Sequence, residues 1–215
     1  MEAESSDGTT QDSKATRFWA GVGFRVREGM RMHELTGQLE KGPDSYRNVT
    51  EHCLVQTARS EILGRWIGLP EDVIRDMRMG AMLHDFDKKQ EMAVTREANR
   101  SGKSPLLAVR AEDIRAEVLL ERHGFSDRVV RLAAASGVDA PQLIEAQRIL
   151  DQEGLSDEDL AWLVLHYVDD CSIGANWVER SQEFRNIFDY RMEQNKGKPD
   201  YVKISQEIGQ QLSSH

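Results

Sequence analysis

No apolar run in these 215 residues approaches the ~20 needed to cross a bilayer, so no helical membrane span is expected. The segment from Met1 to about Ala15 lacks the charged-then-apolar pattern of a secretory signal, and a cytoplasmic location is expected. Cysteine is scarce. Cys53 and Cys171 are the only two, too few for a disulfide framework and expected to be reduced thiols. Positive charge is outnumbered: 28 Lys and Arg against 37 Asp and Glu leave a net charge of −9. That balance argues against extended nucleic acid as the main partner, and an anionic ligand would need a local basic pocket. No period-two alternation marks a strand, and neither an internal repeat nor an inter-domain linker is visible.

What is there is helical periodicity. After a Ser/Thr/Asp/Glu/Gly-rich tail over 1–16, expected to be disordered, residues 17–215 read as one all-α globular domain. Arg17 to Leu39 predicts a weak helix interrupted by Gly21, Gly23 and Gly29, with a loop at Gly42-Pro43-Asp44. Val49–Ile67 predicts a stronger helix. Pro70-Glu71-Asp72 opens another that carries Val73, Ile74, Met77, Ala81 and Leu83 inward and ends at His84-Asp85. Asp87–Ala98 predicts a short polar helix, with a loop at Asn99–Lys103. Ser104-Pro105 predicts a start running to His123, Ser126 a cap for a helix to Ser136, and Asp139-Pro141 a helix to Asp151. Ser156 with Asp159 resembles a capping box opening the helix with Trp162, Leu163, Leu165, His166 and Asp169. Asn176–Gln194 and Asp200–Gln211 complete about ten helices, with Lys196-Gly197-Lys198-Pro199 as a break.

Four polar residues stand at telling places on these helices. His52, His84, Asp85 and Asp169 offer two imidazoles and two carboxylates. That nitrogen-and-oxygen set suits one divalent ion: Mn, Fe, Co, Ni, Zn or Mg. Neighbouring helical residues point about 100° apart, so His84 and Asp85 can share an ion only where the backbone bends at a helix end. Gln56 and Arg59 lie on the face of His52. Lys88 and Lys89 follow His84 and Asp85 by four residues each. Ser172 and Asn176 continue the face of Asp169. Arg59 reads as a phosphate clamp or as a salt-bridged structural residue, and Lys88 carries the same two readings. Lys89 reads as a solvated charge, and Cys53 and Cys171 as small buried thiols. Trp177, Arg180 and Arg185 either rim the pocket or pack a helix.

Over about 46–176 the chain resembles the HD superfamily of metal-dependent phosphohydrolases. The segments that carry the resemblance are Val49-Thr50-Glu51-His52-Cys53, Gly80-Ala81-Met82-Leu83-His84-Asp85 with Lys88, and Leu163-Val164-Leu165-His166-Tyr167-Val168-Asp169. The resemblance implies an HD-like helical bundle with metal ligands His52, His84, Asp85 and Asp169, and with Lys88 matching the family's lysine. Lys88-Lys89 stands where guanosine-tetraphosphate hydrolases of the superfamily carry Glu-Asp, which disfavours that activity. Dinuclear relatives place additional histidines between the His-Asp pair and the last aspartate. Here Gly124-Phe125 is followed by Ala133-Ala134-Ala135-Ser136-Gly137 without one, so one ion is expected. His123 and His166 leave a dinuclear iron oxygenase or lyase as the alternative, beside a non-catalytic nucleotide-binding module.

The expected function is hydrolysis of a nucleotide or other small phosphoester, as a phosphomonoesterase or phosphodiesterase, through a metal-activated water. In that reading Asp85, Lys88 and Arg59 act at the reacting group. Arg59, Lys88 and Ser172 hold the anionic substrate, and Asp87 or Asp170 is a candidate proton acceptor. A homo-oligomer is compatible with this reading.

Overall fold

A computed structural model describes residues 27–40, 45–137, 139–172 and 186–215. The expected tail, the Gly42-Pro43-Asp44 loop, Asn176, Trp177, Arg180 and Arg185 lie outside them. The described residues form ten helices and no strand, so the fold is all-α. The helices are α1 (27–35), α2 (Arg47–Trp66), α3 (Glu71–Leu83), α4 (Lys88–Ser101), α5 (Pro105–Arg122), α6 (Asp127–Ala133), α7 (Ala140–Leu150), α8 (Asp157–Asp170), α9 (Ile187–Gln194) and α10 (Pro199–Ser213). Among the described residues, no helix is long and apolar enough to cross a membrane.

α8 is the axle of the fold. It buries Leu160, Ala161, Trp162, Leu163, Val164, Leu165 and Val168, an apolar run with no solvent face, and packs against α2, α3 and α10. α3 is the second central helix, with Val73, Ile74, Met77 and Ala81 in the same core as Leu163 and Ile208. Its Met79 and Leu83 reach a smaller cluster with Phe86, Leu120 and Val129. Two glycines permit the close approaches this requires. A Cβ on Gly29 would collide with Met82 between α1 and α3, and one on Gly80 would meet Leu132 Cβ at 2.7 Å between α3 and α6.

The ends of the helices follow local chemistry. Ser156 Oγ accepts from Asp159 N at 3.1 Å and Ser126 Oγ from Val129 N at 3.4 Å, satisfying otherwise orphaned amides. Asn186 caps α9 in the same way through Asp189 N at 2.8 Å. Ser104 makes no side-chain cap bond, and Pro105 alone marks the start of α5. α4 continues through Asn99 and Arg100, where a loop is expected, because Ser101 Oγ bonds Glu97 O at 2.8 Å and Arg100 pairs with Glu97 at 3.0 Å. The helix stops only at left-handed Gly102. α6 ends at Ala133, short of the expected Ser136.

Candidate metal centre

α3 ends at Leu83, and His84 stands at its C-cap with φ −59° and ψ −31°. Residues 84–87 turn before α4 begins at Lys88. This break is the bend that the adjacent His-Asp pair requires, and His84 Nε2 lies 3.5 Å from Asp85 Oδ2.

His52 from α2, His84 and Asp169 from the last turn of α8 converge, each offering one ligand atom within 4.8 Å of the other two. His52 Nε2 lies 3.0 Å from Asp169 Oδ1, and His84 Nε2 lies 3.8 Å from the same oxygen. The two imidazoles meet edge to face with centroids 5.3 Å apart. Asp85 borders the triad through His84 but is not one of its three members. The His84 side chain is 3% exposed, Asp169 15% and Asp85 25%, so the cluster is recessed but reachable.

The histidine tautomer is set by its neighbours. His84 Nδ1 lies 2.8 Å from the Ala81 carbonyl, which can only accept, so Nδ1 carries the proton. The Nε2 lone pair then points inward, and this buried atom has no hydrogen-bond partner. Its close polar neighbours, the Asp85 and Asp169 carboxylates, are themselves acceptors. A buried acceptor between acceptors is satisfied by a cation, and the donor set of two imidazoles and the Asp169 carboxylate, with Asp85 bordering it, fits a divalent one. Gln56, fully buried one turn after His52, donates to Asp169 Oδ1 at 2.5 Å and holds that carboxylate in place.

Electrostatics around the cluster run in one direction. Burial alone would raise the Asp169 carboxyl, but the His52 hydrogen bond, His84 in its protonated form and Arg191 outweigh it and hold it well below the usual range. Burial is likewise outweighed at Asp85 by His84 in its protonated form and by Lys88, which keep that carboxyl low. Lys88 Nζ sits 3.6 Å from Asp85 Oδ1 and 2.8 Å from Glu91 Oε2. These two carboxylates overcome its desolvation and keep it charged. Arg191, from α9, lies 3.8 Å from Asp169 Oδ2 and was not among the sequence candidates. The only advance signal for it was a cation on a helix that follows Asp169 in the chain.

The remaining candidates are dispersed. Arg59 Nη1 donates to the Cys171 carbonyl and lies 3.4 Å from Ser172 Oγ, so Arg59 and the buried Ser172 tie α2 to the end of α8. Lys89 is not a free surface charge. It bonds the Gly37 carbonyl at 3.2 Å and Glu40. His166 is buried, its Nδ1 2.9 Å from the Ala135 carbonyl and its ring stacked on Trp162, and His123 is exposed at the end of α5. Neither belongs to the triad. Asp170 is sealed under Tyr201, whose hydroxyl donates to it. Asp87 is pushed up to about 7 by burial and by Glu112, with Arg115 3.8 Å away. Cys53 and Cys171 are free thiols, and burial raises both, Cys171 to about 11.

No family model, no curated protein and no solved structure matches this chain.

Proposed function

We propose that the chain is a metal-dependent phosphohydrolase of the HD type. It would cleave a small anionic phosphoester, of which nucleotides are the leading class, with one divalent cation per chain. The observation that carries this reading is His84. Its Nδ1 is fixed on the Ala81 carbonyl, and its buried Nε2 is left without a partner beside Asp85 and Asp169. His52, His84, Asp85 and Asp169 would hold the cation. When bound there it would supply Lewis-acid polarisation of a phosphoryl oxygen and a more acidic water.

The protein's own groups do the rest. The Ala81 carbonyl and Gln56 orient His84 and Asp169 before anything binds. Lys88 and Arg191 bring two cations to the edge of a site that already holds two carboxylates. They attract an anionic substrate against the overall negative field and neutralise charge on its phosphoryl oxygens. Arg191 contributes a fork that can take two oxygens at once, and Lys88 a single strong point charge.

The test starts from chelator-stripped protein titrated with each of the six metals. Melting temperature and bound metal are followed together with phosphate release from a panel of nucleotides. One metal should bind per chain and add about 2.7 kcal/mol of stability at a hundredfold excess over its Kd. His84→Ala and Asp169→Ala should weaken binding by at least about 10–100-fold, the loss typical of a mere supporting residue, and abolish turnover. The reading fails if no divalent metal binds, or if turnover persists undiminished in both variants.

A further inference from the structure

α5 leaves most of its surface outside the core. Of its 18 residues only Glu112 and Leu120 are buried. Leu107, Ala111, Ile114 and Val118 follow one another at steps of four, three and four, which aligns them on one helix face. That face is open to solvent: Leu107 is 70% exposed, Ile114 56% and Val118 37%, with Ala111 exposed between them. On one shoulder of the stripe Arg110 is followed two turns later by Glu117. The segment entering the helix carries Lys103, and its last turn carries Glu121. All four are exposed, and none forms an ion pair with another described residue.

We propose that this face is the interface of a two-fold homodimer in which α5 packs antiparallel on the same helix of a second copy. The argument is self-complementarity about one centre. Antiparallel pairing sets Leu107 against Val118 of the partner subunit and the small Ala111 against Ile114 of the partner subunit, so bulk meets space along the seam. The same register brings Arg110 opposite Glu117 of the partner subunit. The midpoint of each of these three pairs falls within Glu112–Ile114. The apolar pattern and the charge pattern therefore share one two-fold axis, as an isologous contact requires. A partner of another kind would need no such match. The dimer is independent of the metal centre, whose ligands lie on α2, the α3–α4 turn and α8.

Sedimentation of the full chain from about 1 to about 300 μM, a range suited to an interface at the small end of specific contacts, tests this directly. A reversible monomer–dimer equilibrium is expected. Ile114→Asp should raise the dissociation constant at least about tenfold, since it places two carboxylates on the seam, while circular dichroism, and melting at concentrations where the wild type is monomeric, stay unchanged. Arg110→Glu and Glu117→Arg should each weaken the dimer by setting like charges opposite each other, and the double reversal should restore it. The charge-swap cycle decides the matter even if Ile114→Asp folds poorly. A wild-type chain that stays monomeric throughout, or a dimer indifferent to both Ile114→Asp and the charge reversals, overturns the proposal.

Discussion

Arg59 and Arg191 both reach the end of α8. From the sequence, Arg59 shares a helical face with His52 and reads as a phosphate clamp or as a salt-bridged structural residue. In the fold its Nη1 is bonded to the Cys171 carbonyl, while Arg191 stands 3.8 Å from Asp169 Oδ2. Arg191→Ala should leave metal content intact and lower kcat/KM by about 1.5–3 kcal/mol, the worth of one charged hydrogen bond. Arg191→Lys should recover only part, because a lysine lacks the fork. Arg59→Ala should instead lower the melting temperature, leaving the Cys171 carbonyl to find another donor, with kcat/KM per folded molecule nearly unchanged. Measuring both quantities on the same samples separates the two; a catalytic defect confined to Arg59→Ala would reverse the assignment. The ordered spacing of His52, His84-Asp85 and Asp169 was legible because each lies on, or just past the end of, a helix the sequence predicts. Arg191 was not, because no periodicity links α9 to α8 and the contact exists only once the helices pack.

At the scale of elements, α1 supports the turn after α3 from behind. The last carbonyls of a helix have no partners of their own, and the turn after α3 leaves several facing inward. Three α1-side groups take them. His33 Nε2 lies 2.7 Å from Met82 O, Gln38 Nε2 donates to Asp85 O at 2.6 Å, and Thr36 Oγ1 donates to Phe86 O. His33 Nδ1 is in turn 3.0 Å from Gln38 and 3.1 Å from Thr50. Gln38→Ala should cost about 1–3 kcal/mol in chemical denaturation, since a buried carbonyl loses its donor, and should weaken metal binding by loosening Asp85. Gln38→Glu should be worse, because it sets an acceptor against that carbonyl. A Gln38→Ala protein as stable as wild type would show that the turn holds itself. The sequence made α1 look weak because of its glycines. Gly29 is there for a tertiary reason that periodicity does not carry, the close passage of Met82. Gly80→Ala should cost about 1–3 kcal/mol for the matching reason, as Leu132 cannot yield without shifting its own backbone, 3.0 Å away.

Over the whole molecule, the all-α class and most helix starts were readable, since apolar period and capping residues act locally at Ser126 and Ser156. What joins the helices was less so, and one charged network shows why. Arg131 on α6 pairs with Glu145 on α7 at 3.1 Å and with Asp159 on α8 at 2.8 Å, and Arg148 pairs with Glu145 at 2.7 Å. In sequence only the Glu145–Arg148 spacing announces itself. The Glu145 carboxyl is held down at about 2, chiefly by the Arg148 hydrogen bond, with burial opposing and Arg131 assisting. Its ordinary value is 4.5, so between these two values the unfolded chain binds more protons than the folded one. The network's stabilisation is therefore complete above pH 4.5 and disappears as pH falls through about 2. Side chains 31–53% exposed make it a screened interaction, about 0–1 kcal/mol for the Glu145 pairs and smaller in high salt. Unfolding midpoints of wild type and Glu145→Gln, measured in chelator so that metal binding does not enter, should differ at neutral pH and converge as the acid limb approaches pH 2. A gap that stays constant across that window would mean that Glu145 contributes shape and not charge.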